Sequence, residues 1–218
     1  MKSLIDIYKE SPETSGLTDK QLKIFQAAIT LFAQKGYKDT STKEIAQKAG
    51  VSEGSLFKRF NNKEELLLSI LKPLSRVILP EILNEFSEQT LKTGYPTLHD
   101  FIDVILRNRL DFFIENIDVL RIFIDEFIYD ENIRKSIVAE IPYEYLKTIN
   151  DAIDKLKSDG LIVDWNNVEI FRFIFSTIFG YLAQHYFLFR SPNWNKEEEI
   201  SHLVDFLVKG LAPEKDVK

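Results

Sequence analysis

The chain has 218 residues, no cysteine and three histidines. That length buries most of an unfolded chain's surface without crosslinks, and the missing cysteines exclude a disulfide framework, a thiolate metal site and a thiol nucleophile. The net charge of −6 hides a division: residues 19–72 carry ten Lys and Arg against six acids, a net +4, while residues 73–218 carry −9. A basic quarter joined to an acidic remainder points to an anion-binding module fused to something different.

Met1 to Glu10 has no apolar core of signal-peptide length, because Asp6 and Lys9 interrupt it. With no cysteine either, the expected location is the cytoplasm. Phe173–Phe189 is 17 residues without a formal charge, flanked by Arg172 and Arg190. It falls short of a membrane span and reads as a buried or interface helix.

The elements, in chain order, are all helical. Thr18-x-x-Gln21 is a capping box that opens a helix through Leu22, Phe25, Ala28, Ile29 and Phe32, ended by Gly36. Ser41-x-x-Glu44 opens a second helix, which runs to Gly50. Ser52 caps a third, which runs through Leu56 to Phe60. Asn62 starts a fourth, whose pattern continues to about Phe86, and Pro73 and Pro80 are expected to kink or break it. Further helices are predicted from Thr97 to about Glu115, from Asp118 to Tyr129, after Asp130, and from Pro142 to Gly160. The last two run from Asn167 to Arg190, where Ser191-Pro192 stops the helix, and from Asn195 to Gly210 and Pro213. The expected fold is all-α, with nine or ten helices.

Residues 41–60 carry the functional signal. Two short helices meet at a Gly50 turn, and Ala46 and Gly50 suit a close crossing with a left-handed turn residue. Ile45, Ala49, Val51, Leu56 and Phe60 are expected to face inward. This is a helix-turn-helix pattern, in which the second helix enters the major groove of DNA.

Several stretches together resemble a known family: Phe25-Gln-Ala-Ala-Ile-Thr-Leu-Phe-Ala-Gln-Lys-Gly-Tyr37, Thr40-Ser-Thr-Lys-Glu-Ile-Ala46, Ala49-Gly-Val-Ser-Glu-Gly-Ser-Leu-Phe-Lys-Arg-Phe60 and Asn62-Lys-Glu-Glu-Leu66. They are similar to the N-terminal domain of the TetR (tetracycline repressor) family of bacterial transcriptional regulators. The resemblance covers about residues 18–70. It implies an arm at 1–17, a helix-turn-helix domain at 18–66 and a helical ligand-binding and dimerisation domain at 67–218.

The expected DNA contacts are Ser41, Thr42, Lys43, Ser52, Glu53, Gly54, Ser55, Phe57, Lys58, Arg59 and Lys63. Ser41 and Thr42 sit at a helix N-terminus, where amides and hydroxyls suit a phosphate. Gly54 allows close approach to the groove. Glu53 would accept from cytosine N4, or else serve as a solvated cap acid. Lys58 and Arg59 are cationic candidates, and the resemblance assigns a phosphate to Lys63. Phe57 stands where many members carry Tyr, and Arg59 where His is frequent, so base preference does not carry over.

One such module meets one half-site, so a two-fold dimer on a palindromic operator is expected. Phe171–Phe189 is apolar on every side, and the final helix has a stripe of Ile200, Leu203, Val204, Leu207 and Leu211. Phe179, Gly180, Leu203 and Leu207 are the interface candidates. An apolar effector cavity would draw on Phe101, Ile105, Arg109, Phe112, Phe127, Tyr143, Phe175 and Tyr181. Arg107, Arg109 and Arg121 would suit an anion, Asp125 and Glu126 a cation, and the effector's charge stays open. Its binding would shift a population that the fourth helix transmits to the DNA-binding module.

No Gly-rich phosphate loop, nucleophile elbow or His-Glu-x-x-His motif is present, so neither catalysis, a metal nor a cofactor is expected. A regulator answering to a protein partner, and an activator in place of a repressor, are the remaining readings.

Overall fold

The computed structural model describes residues 17–58, 60–188 and 195–213, with backbone only at Val77, Ile78 and Ser136. Arg59, the N-terminal arm before Leu17 and the expected stop at Ser191-Pro192 lie outside the described residues. Ten helical rods and no strands occur among those described: α1 (Asp19–Lys35), α2 (Thr42–Ala49), α3 (Glu53–Phe57), α4 (63–91), α5 (Leu98–Glu115), α6 (Ile117–Tyr129), α7 (Glu131–Ala139), α8 (Tyr143–Ser158), α9 (167–188) and α10 (Lys196–Leu211). No helix among them is long and apolar enough to cross a membrane.

The chain forms two compact units. The first runs to Ile82 and also takes in Asn116–Ile141, so α6 and α7 belong with the N-terminal helices. α1 lies against α2, α4 and α6. Its capping box is formed, with Thr18 N–H on Gln21 Oε1 at 2.8 Å. Ile24, Phe32, Ile45, Leu56, Phe60, Leu66 and Ile70 make a core with almost no exposed surface. Burial of one such side chain stabilises by roughly 1.5–3 kcal/mol.

The second unit comprises Leu83–Glu115 and the chain from Pro142 onward. α5 and α10 pack along each other through Ile102, Leu106, Leu110, Ile200, Val204 and Leu207. Ion pairs Arg107–Glu197 (2.6 Å) and Lys196–Asp111 (2.5 Å) flank that seam.

The prolines do not break α4. Its backbone is helical throughout 63–91, past the expected end at Phe86. Leu74–Ile78 is a π-turn, in which Leu79 N–H reaches back five residues to the Leu74 carbonyl. A proline ring normally collides with the carbonyl four residues earlier. The wider turn, placed just before Pro80, relieves that crowding there and lets the rod continue, while Pro73 ends the regular helix that precedes it.

α9 and α10 also differ from expectation. α9 turns Ile170, Ile174, Ile178 and Leu182 into the core of its unit. Phe173 and Phe175 on its flanks remain half exposed. The α10 stripe faces that same core, and Leu207 is buried there. Phe206, rotated by about 100° along the helix, carries the exposed apolar surface instead, at 67%.

Candidate DNA-binding site

The helix-turn-helix forms from short-range signals. Ser41 caps α2 and shares a capping box with Glu44: Ser41 Oγ accepts from Glu44 N–H at 3.2 Å, and Glu44 Oε2 accepts from Ser41 N–H at 2.9 Å. Gly50 ends α2 with φ +68°, and Val51 N–H closes the turn on the Ala46 carbonyl at 3.0 Å. A Cβ on Gly50 would meet nothing within 4 Å. The left-handed backbone, not the closeness of the helix crossing, is therefore what selects glycine there. Ser52 caps α3 through Ser55 N–H at 3.2 Å. Ile45, Ala49, Leu56 and Phe60 are buried, as their spacing predicts, and Val51 is half-buried.

Side chains on this face bond largely to one another. Thr42 Oγ1 donates to Glu53 Oε1 at 2.6 Å, tying the start of α2 to the first residue of α3. Ser52 and Ser55 hydroxyls lie 2.9 Å apart. Glu44 also pairs with Lys35 at the end of α1. That ammonium, with the Ser41 backbone and hydroxyl donors, lowers the Glu44 carboxyl to about 2. Glu53 is thus a bonded carboxylate with one oxygen held and the other open, intermediate between the two roles the sequence left standing.

Lys63 differs most from its expected role. Its ammonium donates to the carbonyls of Tyr37 (2.7 Å), Thr40 (2.8 Å) and Lys38 (3.3 Å), and it stands 4.4 Å from the centre of the Tyr37 ring. Three protons meet three carbonyls, so this lysine clamps the loop between α1 and α2 to the start of α4. Thr40, buried beneath it, adds a 2.8 Å bond to the Gly36 carbonyl. No local pattern signals this, because the contacts span 23–26 residues.

Lys43, Lys48 and Lys58 are exposed and make no ion pair among the described residues. Lys48 was not among the sequence candidates. Phe57 is 42% exposed beside Lys58. At Gly54 a Cβ would touch only Ser52 Oγ, at 4.0 Å, so the outer surface of α3 is bare there. The open cations and the bare first turn of α3 suit phosphates and base edges.

The expected effector residues are divided between the two units. Phe127 belongs to the first unit, where it stacks on Phe123 with ring centres 6.2 Å apart. Tyr143 and Phe175 are exposed, because each projects from the outer side of its helix. Phe101, Ile105 and Tyr181 are core residues of the second unit. Phe101 also lines a groove of about 500 Å³ with Leu91, Tyr95, Ala152 and Leu156. Arg109 and Phe112 adjoin, with the guanidinium 5.3 Å from the ring centre. Arg107 pairs with Asp103 and Glu197, and Arg121 donates to the Ala33 carbonyl at 3.0 Å. Burial raises the carboxyls of Asp125 and Glu126. Of the interface candidates, Gly180 is exposed, Phe179 and Leu203 are half-buried and Leu207 is buried. Among the described residues no group of three His, Cys, Asp or Glu side chains is placed to hold a metal.

Residues 24–70 match the family described as bacterial regulatory proteins, tetR family. The uncharacterized HTH-type transcriptional regulator YvkB of Bacillus subtilis is 29% identical over 195 residues, covering 87% of this chain and 96% of that one. The biofilm operon icaADBC HTH-type negative transcriptional regulator IcaR of Staphylococcus epidermidis is 28% identical over 213 residues, covering 86% and 98%. The solved structure of the transcriptional regulator FadR from Bacillus subtilis in complex with stearoyl-CoA superposes with a TM-score of 0.57 at 18% identity, covering 87% and 98%. Over residues 24–70 the chain therefore carries a domain that matches the tetR family of bacterial regulatory proteins.

Proposed function

We propose that the protein is a repressor that binds an operator of inverted half-sites as a symmetric dimer and is released by a small, largely apolar molecule. The observation that carries DNA binding is the first turn of α3. Ser52 caps it, Gly54 leaves its surface bare, and Lys43 and Lys58 stand unpaired on the two helices. A helix so presented fits the major groove, with flanking cations on phosphates. Lys63 and the Thr42–Glu53 bond hold that surface in shape.

Dimerisation is supported by apolar surface on α9 and α10. Trp165, Phe173 and Phe206 border a cleft of about 220 Å³ in the second unit. Each of the three is roughly half exposed or more. An apolar patch of that kind marks an interaction site. Release by an effector rests on connectivity: α4 passes unbroken from one unit into the other, and α6 packs on α1. An effector acts only through unequal affinity for two arrangements of these helices. IcaR's description as a negative regulator supports repression.

Selection of bound fragments from random duplex DNA tests the proposal. An inverted repeat is expected, with affinity falling steeply as salt rises. A single unrepeated motif contradicts the dimer, and no enriched sequence contradicts specific DNA binding.

A further inference from the structure

Arg109 is a cation without a counter-ion in the acidic part of the chain. Its guanidinium carbon lies 3.7 Å from the centre of the Phe86 ring and 5.3 Å from that of Phe112. Nε and Nη2 both donate to Asn108 Oδ1, at 3.1 and 2.5 Å. No carboxylate among the described residues comes within 4.0 Å of it, and Glu85 acts on it only from farther away. The bonds to Asn108 occupy one side of the fork. They leave the Nη1–Nη2 edge, whose parallel N–H groups match the two oxygens of a carboxylate or phosphate. Tyr145 is packed against the core of the same unit, and its hydroxyl has no hydrogen-bond partner among the described residues. Tyr145 and Arg109 are near enough to interact electrostatically.

We infer that Arg109 and Tyr145 bind the anionic head of an amphipathic effector, with Phe86 and Phe112 beside its apolar part. This deepens the effector reading above and rests on it. The elements agree chemically. An aromatic-stacked guanidinium is weakly hydrated and gives up little water to an oxyanion. Burial brings Arg109 down to about 10, so it stays charged at neutral pH, and pushes the Tyr145 phenol up, so it stays a donor. A buried charge without an ion pair is unfavourable, and an anionic ligand would remove that penalty. The Arg107 guanidinium, two residues away, has two carboxylates and needs no ligand.

Binding of laurate, lauroyl-CoA and dodecanol to the full chain, followed by calorimetry, tests the inference. Laurate offers a carboxylate, lauroyl-CoA offers phosphates, and dodecanol offers no charge. Wild type is expected to bind at least one anionic probe more tightly than dodecanol. Arg109→Met is expected to weaken that binding about ten- to hundredfold, the range of a charged hydrogen bond, and to leave dodecanol unchanged. Arg109→Lys, which keeps the charge and loses the fork, is expected to fall between, and Tyr145→Phe to lose less. Equal binding of the anionic probe by wild type and Arg109→Met, or no binding of either anion by wild type, overturns it. Operator affinity of the same variants without probe separates the two claims. A wild type that binds no DNA defeats the regulator reading, whereas an Arg109→Met that binds DNA and laurate normally defeats only this one.

Discussion

The two compact units are built on different scales. In the first, the helix-turn-helix is shaped by pairs three to five residues apart, Ser41 with Glu44, Ala46 with Val51 and Ser52 with Ser55, and its attachment to the rest of the unit uses distant partners, as in Lys63 with Thr40 and Arg121 with Ala33. In the second, the seam of α5 and α10 joins residues some 85–90 apart, as in Lys196–Asp111 and Arg107–Glu197. A module whose surface must match a fixed external object, the groove of DNA, is held by local and mutually satisfied bonds. The second unit is held by a large apolar core drawn from helices distant in the chain.

Mutations sharpen that contrast. The largest effect is expected for Leu56→Ala, which empties a fully buried site between the two helices. Loss of about 2–5 kcal/mol in chemical denaturation is expected, with DNA binding lost as well. Lys63→Met is expected next, at about 1–3 kcal/mol, because three carbonyls lose their donor. Its distinguishing mark is the salt slope of DNA binding, which should stay unchanged. Lys43→Ala and Lys58→Ala should reverse the pattern, leaving stability alone and lowering the slope by roughly 0.9 for each phosphate contact removed. Gly50→Ala, at φ +68°, should cost about 1–2 kcal/mol with no steric clash to relieve.

Acid titration gives the smallest effect. Glu44 has a folded value of about 2 against an ordinary 4.5. Its contribution is complete above 4.5 and disappears as pH falls toward 2. The group is exposed, so the loss is small. Glu44→Gln should flatten this part of the pH–stability curve; an unchanged curve would mean that the Lys35 pair contributes nothing.

The sequence was legible where the physics is local. Caps at Thr18, Ser41, Ser52, Asn62 and Asn195 follow from residue type and spacing, and each accepts its expected backbone N–H. Gly36, Gly50 and Gly160 take positive φ where helices end. It was illegible where neighbours distant in sequence decide. Lys63 found three carbonyls in place of a phosphate, since no pattern in the chain marks a loop as its acceptor. Pro73 and Pro80 read as kinks or breaks, because periodicity does not reveal a π-turn between them. The stripe that includes Leu207 was legible, but only packing shows that it faces the core of its own unit and leaves Phe206 outside. Phe101, Phe112, Phe127, Tyr143, Phe175 and Tyr181 stand out in the sequence, but their division between core and surface depends on the tertiary fold.

Sedimentation of the protein with a selected duplex tests the central claim most directly, by counting chains per operator. Two chains on one inverted repeat are expected, with Phe206→Ser shifting the free protein toward monomer while its thermal unfolding changes little. One chain per duplex, with Phe206→Ser indistinguishable from wild type, would contradict a recognition helix presented twice by a symmetric pair.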